Sequence, residues 1–238
     1  MKNCEFRFFD RDAELAQTVA KEWLQMAAAK FPKGHSVALS GGRIATAFFC
    51  AVLEEARNLK FTFNHVHFFW ADERCVAPDD AESNFRVANE NLFQPAAIVL
   101  DRIHRIKGEL EPTKAVQLAD ADLGMLPPSA EGLPVLDMIF LGIGPDGHTA
   151  SLMPNAPPEV ESGRGPYLYV SNSPKPPPRR ITLSYPAIWA ARNVWALVTG
   201  EGKEEALQES LRPGARTPFG RVLEGREETK IFSSVSLT

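Results

Sequence analysis

Residues 136–151 read LDMIFLGIGPDGHTAS, an apolar run that ends in a glycine-rich turn. Apart from Asp137, residues 136–141 are all apolar, and a run of this kind is typical of a strand that is buried on both faces, as in a parallel sheet. In α/β proteins, ligands bind at the loops that leave the carboxyl ends of such strands. The stretch therefore predicts an α/β fold, with His148 presented on a loop after a buried strand.

Short apolar runs alternate with longer helical patterns along the rest of the chain. This order predicts a mainly parallel sheet with helices on both faces. No segment has the composition of a linker, so we predict one domain that covers residues 1–238. Strands are predicted at residues 5–9, 36–40, 65–70, 136–141, 167–170, 181–183 and 194–198. Helices are predicted at residues 13–29 (with Asp10 as N-cap), 43–56, 83–93 (with Ser83 as N-cap), 113–125 and 201–211.

The composition is that of an ordinary globular protein. The chain has 238 residues, of which 44% are hydrophobic and 24% charged, and its net charge is −4. This balance argues against a general nucleic-acid binder, which is usually strongly basic. Three cysteines without a CxxC pair argue against a disulfide framework or a zinc ribbon. The N-terminus lacks a secretory apolar region and no apolar run approaches the roughly 18 residues of a membrane span, so we expect a cytoplasmic protein.

Two loops in the first third of the chain combine glycine or charge with a predicted strand end. In residues 39–43 (LSGGR), Gly41 and Gly42 let backbone N–H groups approach an anion, and the helix that follows adds its dipole. Phosphate is a natural ligand there, although an ordinary tight turn has the same sequence. In residues 70–78 (WADERCVAP), Asp72 and Arg74 follow the aromatic strand, where a binding site and a solvated turn are both consistent with the sequence.

The loop at residues 141–151 contains the pattern GxGxxG, which invites a dinucleotide-binding interpretation. That motif should open a long helix, whereas here Pro145 lies inside the turn and Pro154 follows closely. The loop is better interpreted as a polar turn that presents His148, which can take and return a proton near neutral pH. Asp146 is two residues away and can orient the imidazole or cap a helix, while a purely structural histidine remains the alternative.

Two cationic segments and a histidine pair complete the candidates. Arg180 and Lys203 each lie at the edge of a predicted strand, and both residue types bind phosphate, although two surface cations would look the same. His65 and His67 are two residues apart on a predicted strand and so share a face. They could begin a metal site, but no third ligand is evident, so we expect no metal.

Taken together, the four loops resemble the 6-phosphogluconolactonase family. The resemblance covers nearly the whole chain, in the same order as in the family. It is carried by LSGG at residues 39–42, DERCVAPDDAESNF at 72–85, LGIGPDGHTASLMP at 141–154 and SPKPPPRRITLSYPAIWAARNVWALVTGEGK at 173–203. The third segment is the most specific of the four.

The resemblance implies an enzyme that hydrolyses 6-phospho-D-glucono-1,5-lactone to 6-phospho-D-gluconate in the oxidative pentose phosphate pathway. It implies a Rossmann-like, three-layer α/β/α sandwich shared with glucosamine-6-phosphate deaminases, ribose-5-phosphate isomerases and CoA transferases. No metal or organic cofactor is expected, the partner is the small sugar-phosphate lactone, and the chain is expected to be a monomer or a weak homodimer. The catalytic residues implied are His148, as the base that activates water, and Asp146, which holds the imidazole. The substrate-binding residues implied are Ser40, Gly41, Gly42, Arg43, Thr46, Asp72, Arg74, Arg180 and Lys203.

The sequence departs from the family in its glycine loop and leaves two alternatives open. Many relatives continue the loop as SGGSTP, whereas residues 40–47 here read SGGRIATA, so Arg43 or Thr46 must replace a hydroxyl ligand. A glucosamine-6-phosphate deaminase would need a glutamate five residues after the loop histidine, where this chain has Met153. A sugar-phosphate sensor without catalysis is the second alternative, and the retention of His148, Asp146 and Arg74 argues against it.

Overall fold

The computed structural model describes residues 3–237, and its strands form two sheets. The strands are β1 (Asn3–Phe8), β2 (His35–Leu39), β3 (Val66–Trp70), β4 (Asp72–Arg74), β5 (Met138–Leu141), β6 (Tyr167–Val170), β7 (Arg180–Leu183), β8 (Val194–Val198) and β9 (Glu228–Ser233). The helices are α1 (Asp12–Ala28), α2 (Ala45–Asn58), α3 (Asn84–Ala88), α4 (Pro112–Leu123), α5 (Pro158–Glu161), α6 (Tyr185–Ala190), α7 (Glu204–Leu211) and α8 (Pro218–Glu224). A π-helical turn at Asn89–Phe93 extends α3, and a 3₁₀ turn occupies Leu100–Arg102.

The larger sheet has the strand order β1-β9-β8-β5-β2-β3, and every neighbouring pair in it is parallel. The prediction of a mainly parallel sheet is therefore confirmed. The smaller sheet, in the order β4-β7-β6, is antiparallel. Strand β4 begins two residues after β3 ends, so the chain passes from one sheet to the other at the carboxyl end of β3.

The direction of the crossovers explains the layers. The connections through α1 and α2 step across the sheet toward β3, whereas the connection through α7 and α8 steps the opposite way, toward β1. Because such crossovers are right-handed, the two pairs of helices cover opposite faces. Helix α1 packs against α2, and α7 packs against α8. None of the helices in residues 3–237 combines the length and the apolar character needed to cross a bilayer.

Burial follows from this layering. All residues of β2, β5 and β8 are buried, as expected for strands with helices on both sides. Trp23 of α1 is fully buried and contacts the rings of Phe48 and Phe140. A polar loop at the end of such a strand rests on a tightly packed base, so its side chains have few ways to move.

The predicted elements are present, with shifted ends and some omissions. Helix α1 begins at Asp12 with Arg11 as its N-cap, so the prediction of Asp10 as the cap is wrong. Ser83 does cap α3, because its hydroxyl accepts the amide N–H of Arg86. The sequence pattern did not predict β9, which lies between β1 and β8 within the larger sheet, or the short helices α5, α6 and α8.

Candidate active site

A cleft lies at the carboxyl edge of the larger sheet, where the loops after β2, β3, β5 and β8 meet. Its lining includes most of the residues that the sequence nominated. These are Ser40, Gly41, Gly42, Arg43, Asp72, Arg74, His148, Arg180 and Lys203. The cleft is also lined by Ile44, Asn84, Gly142, Ile143, Ala150 and Leu197.

Two nominated residues are not part of this lining. Asp146 lies behind the imidazole of His148, with its Oδ1 2.5 Å from Nδ1. This is the orienting contact that the sequence suggested. Thr46 lies on the exposed side of α2 and does not line the cleft, because the loop ends at Ile44 and the helix turns the threonine away. Of the two proposed replacements for the missing hydroxyl, the structure brings only Arg43 to the cleft.

The loop after β5 holds His148 in one place. The amide of Gly144 donates to the carbonyl of His148, and Asp146 Oδ1 accepts the amide N–H of His148. A Cβ on residue 144 would lie 1.9 Å from Nδ1 of the imidazole, so the ring occupies space that only glycine leaves open. Both partners of the ring, Asp146 and Lys175, lie at Nδ1, which leaves Nε2 without a hydrogen-bond partner among residues 3–237.

The charges around His148 suit a base that is neutral at rest. Burial lowers the pKa of His148, the hydrogen bond and charge of Asp146 oppose that effect, and the charge of Lys175 adds to it; the net direction is downward. Burial alone would raise the pKa of Asp146, but the hydrogen bonds from His148 and Lys175 and the histidine's charge outweigh it and lower that pKa to about 2. Near neutral pH the pair is therefore a carboxylate and an uncharged imidazole.

The opposite end of the cleft combines a glycine turn, the start of a helix and two cationic side chains, which are features that can hold an anion. Gly42 has a φ of +99°, a conformation that favours glycine, and it turns the chain directly into α2. The N–H of Ala45 donates to the carbonyl of Gly42. No side chain caps the start of α2 and its first turn holds no acidic residue, so the next N–H groups, of Thr46 and Ala47, are available. The guanidinium of Arg43 lies over Gly200, where a Cβ would come 2.5 Å from Nη1. Burial, followed by the charge of nearby Arg43, lowers the pKa of Lys203.

Arg180 is largely committed to the protein itself. Its Nε donates to the carbonyl of Pro177, and its Nη2 donates to the carbonyls of Lys175 and Pro176. Its Nη1 donates to Ser151 Oγ over 3.4 Å. Four of its five N–H groups are thus used, so Arg180 cannot grip a phosphate through its whole fork and instead fastens the loop at residues 173–178.

Asp72, Arg74 and Ser40 also have protein partners. Asp72 is buried, and its Oδ2 accepts the Ser151 hydroxyl over 2.6 Å. Arg74 Nη1 donates to the carbonyl of Glu82 over 2.7 Å, which holds the guanidinium at the rim of the cleft. The hydroxyl of Ser40 donates to the carbonyl of Phe140, so its hydrogen ties β2 to β5 rather than serving a ligand.

Glu73 is turned away from the cleft and holds the start of α3. Its two carboxyl oxygens accept the amide N–H groups of Arg74, Asn84 and Phe85 and the hydroxyl of Ser83. Burial raises the pKa of Glu73 to about 7 although these hydrogen bonds act in the opposite direction. Unlike its neighbours Asp72 and Arg74, which line the cleft, Glu73 therefore serves the fold.

Titration of Glu73 should make the protein less stable as the pH rises. Because the folded pKa is raised from 4.5 to about 7, the contribution of Glu73 is fully present below pH 4.5 and is lost on the way to pH 7. Its upper limit is about 3 kcal/mol. We expect the unfolding free energy of Glu73→Gln, measured by urea denaturation from pH 4.5 to pH 8, to lack this decline.

The quantity to compare is the slope of the unfolding free energy against pH. The absolute stability of Glu73→Gln is expected to be lower, because the glutamine NH₂ group replaces a carboxyl oxygen that accepts hydrogen bonds. Glu54→Gln, at an exposed position on α2, is the matched control and should keep the wild-type slope. Equal slopes for Glu73→Gln and the wild type would contradict the prediction.

Two polar residues of this region, Asn84 beside Gly41 and Lys175 beside His148, were not nominated from the sequence. Asn84 follows the nominated loop, and its Nδ2 donates to the carbonyl of Asp72 over 2.9 Å. Its side chain lies over Gly41, where a Cβ would come 1.9 Å from the amide oxygen. Lys175 lies between prolines at residues 173–178, and its position within a family-like segment was the signal available for it.

Within the part of the chain that the structure describes, the other histidine cluster and another large cavity lack the groups needed for metal binding and for acid–base catalysis, respectively. His67 contacts His104 rather than His65, and residues 3–237 hold no group of three His, Cys, Asp or Glu side chains placed to bind a metal. A cavity of about 460 Å³ beside the end of α2 is larger than the cleft, which measures about 110 Å³. Its charged lining residues are Arg57, Lys60 and Arg102, with no acid or histidine among the described residues.

Comparison with known proteins then decides the family. A model of the family described as glucosamine-6-phosphate isomerases/6-phosphogluconolactonase matches residues 10–231. The chain belongs to this family. The long loop after β5 reaches only the four-residue helix α5, so it does not open a long dinucleotide-binding helix.

Individual members of the glucosamine-6-phosphate isomerase/6-phosphogluconolactonase family are similar over most of the chain. A 6-phosphogluconolactonase of Mycobacterium tuberculosis is 36% identical over 183 residues, which cover 74% of this chain and 72% of that protein. A chloroplastic protein of rice, Oryza sativa subsp. indica, named probable 6-phosphogluconolactonase 3, is 33% identical over 213 residues. The match covers 85% of this chain but only 64% of the length of the rice protein.

Solved structures agree on the fold. The 6-phosphogluconolactonase of Thermotoga maritima superposes with a TM-score of 0.80 at 26% identity, covering 98% of this chain and 99% of that one. A monomeric glucosamine-6-phosphate deaminase superposes with a TM-score of 0.81 at 17% identity, which shows a shared fold alone. The predicted three-layer, mainly parallel α/β fold of this family is confirmed. Met153, five residues after His148, is buried.

Proposed function

We propose that this protein is a 6-phosphogluconolactonase, which hydrolyses 6-phospho-D-glucono-1,5-lactone to 6-phospho-D-gluconate in the oxidative pentose phosphate pathway. The observation that carries the proposal is His148, whose imidazole has Asp146 at Nδ1 and lines a cleft with Nε2 unpartnered among the described residues. The cationic, glycine-lined end of the same cleft suits the 6-phosphate.

The reaction needs one base and a proton return. Nε2 of His148 takes a proton from water as the water oxygen attacks the lactone carbonyl carbon, and the carbonyl oxygen becomes an oxyanion. The C–O bond to the ring oxygen then breaks, the carbonyl re-forms, and the imidazolium returns its proton to the leaving oxygen. Asp146 stabilises the imidazolium between these steps. Arg74, held at the rim by Glu82, supplies positive charge for the oxyanion.

Substrate selection falls to the other end of the cleft. The amides of the Gly41–Gly42 turn and the start of α2 offer N–H donors to the phosphate, and Arg43 and Lys203 add charge. Arg180 and Asp72 contribute mainly by fixing the loops around the sugar, because their hydrogen bonds are largely internal.

The direct test is hydrolysis of freshly prepared 6-phosphogluconolactone. We expect the purified protein to accelerate opening of the phosphorylated lactone well above its spontaneous rate, with glucono-1,5-lactone hydrolysed less efficiently. The product is measured continuously by coupling to 6-phosphogluconate dehydrogenase at a pH and on a timescale where spontaneous opening is slow. A folded protein that gives only the spontaneous rate would overturn the proposal. Release of ammonia from glucosamine 6-phosphate would instead favour the deaminase alternative.

Three further properties are proposed together with the activity. Residues 1–238 act as one domain, which is supported by a cleft whose lining comes from both sheets. The protein works in the cytoplasm and as a monomer or a weak homodimer. These last two remain predictions from the sequence, to be measured by fractionation of cells and by sedimentation of the purified chain.

A further inference from the structure

Lys175 completes a triangle with the proposed catalytic pair. Its Nζ lies 2.9 Å from Nδ1 of His148 and 3.1 Å from Oδ1 of Asp146, while those two atoms are 2.5 Å apart. Each of these three groups, a carboxyl oxygen, a ring nitrogen and an ammonium group, is therefore within hydrogen-bond distance of the other two. The mechanism above uses the first two of these groups and leaves the lysine without a role.

Hydrogen bonds from Arg180 hold the loop that carries Lys175 in place. The buried side chain of Arg180 donates to the carbonyls of Lys175, Pro176 and Pro177. The amide of Lys175 donates to the Ser173 hydroxyl over 3.2 Å. With its backbone fixed on both sides, the lysine side chain reaches the histidine loop from a set position.

The proton arrangement of the triangle decides which ring nitrogen can act as base. An ammonium group only donates, an ionised carboxylate only accepts, and a neutral imidazole does one of each. If Nδ1 donates to Asp146, Nε2 keeps its lone pair and can accept a proton from water. If Lys175 donates to Nδ1 instead, Nε2 carries the hydrogen and cannot act as base. The contact between Asp146 and His148 is the shortest, which favours the first arrangement, with Lys175 donating to Asp146.

The charges that face His148 come from several elements. Asp146 and Asp72 favour the protonated ring, whereas Lys175 disfavours it. The remaining charged side chains of the cleft are Arg43, Arg74, Arg180 and Lys203. Lys175 is the cation in direct contact with both members of the pair, so its charge adds to the effect of burial and opposes the carboxylates, which favour the protonated ring.

We propose that Lys175 is a positioning residue that anchors Asp146 and offsets its charge, so that His148 is neutral, with Nε2 free, at the pH of the reaction. As a statement about lactone hydrolysis this rests on the proposed function. As a statement about the proton on His148 it can be measured without any substrate.

The test is a histidine titration by NMR of the ¹⁵N-labelled protein. The resonances of His148 are assigned by their loss in His148→Gln, and the titration is repeated for Lys175→Met and Lys175→Arg. Loss of the cation should raise the pKa of His148 by about 1 unit or more, and arginine should restore it toward the wild-type value. Lys33 is an exposed lysine between α1 and β2, and Lys33→Met is the control, which should leave the pKa of His148 unchanged. An unchanged or lowered pKa in Lys175→Met would overturn the proposal.

A kinetic measurement links this result to the reaction. In Lys175→Met, the acidic limb of the pH profile of kcat/KM should move to higher pH by the same amount as the pKa of His148 measured by NMR. KM at high pH should change little. A uniform loss of activity at every pH, with no shift of the limb, would contradict a role through His148. If the wild type hydrolyses no lactone, the proposed function fails, while the NMR titration still decides the role of Lys175.

Discussion

Replacing His148 with alanine is expected to lower kcat for 6-phosphogluconolactone by roughly 10²- to 10⁴-fold, with KM changed little. The physical reason is that Nε2 is the ring atom left without a partner among residues 3–237, while Nδ1 is bound to Asp146. No other histidine lines the described cleft, so no second imidazole replaces the lost base. Initial rates with fresh substrate, corrected for spontaneous opening, give the two constants separately.

The control for this variant is a histidine at the other end of the sheet. His67, near the start of β3, contacts His104 and Arg102 rather than the cleft, so His67→Gln should keep wild-type turnover. Turnover within about 2-fold of the wild type in His148→Ala, where a lost base predicts roughly 10²-fold or more, would remove the histidine from its role. A loss confined to KM would make it a binding residue instead.

Replacing Lys203 with alanine is expected to lower kcat/KM for the phosphorylated lactone by about 10- to 100-fold, mainly through KM. A hydrogen bond to a charged group contributes about 1.5–3 kcal/mol, which corresponds to that range. Lys203 is half-buried beside Arg43, so without an anion its charge is poorly compensated, and burial and Arg43 lower its pKa. Glucono-1,5-lactone lacks the phosphate, and its kcat/KM should change little.

The readout for Lys203 is therefore a ratio of two substrates. The preference for the phosphorylated lactone should fall in Lys203→Ala and in Arg43→Ala, and should stay constant in the distant variant Lys33→Ala. Such a ratio is insensitive to a general loss of folded protein. If Lys203→Ala weakens both substrates equally, the phosphate lies elsewhere in the cleft.

The sequence predicted those site residues whose side-chain or backbone chemistry is suggestive and which also directly follow a predicted strand. Gly41, Gly42 and His148 each follow a strongly apolar strand, so the parallel topology alone brings them to one edge. Arg180 was nominated by residue type, but residue type does not reveal that three of its five N–H groups are already used by the loop at residues 173–178.

The parts that the sequence did not predict depend on contacts between distant segments. Lys175 is 29 residues from Asp146 along the chain, and only the folded loop brings them together. Asn84 matters because it fills the space above Gly41, which no local pattern records. Strand β9 carries charged residues at Glu228 and Lys230 and so lacks a long apolar run, yet pairing on both sides places it inside the sheet.

The pairing of β1 with β9 also bears on how the molecule assembles. In the described residues, β1 joins the larger sheet through β9 alone, and their register sets Asn3 opposite Glu228. Closing a loop that spans nearly the whole chain adds only slowly to the entropic cost as the loop grows, but contacts so distant in sequence delay folding. The strands that carry the cleft can pair before this closure, so we expect the pairing of β1 with β9 to form late in folding.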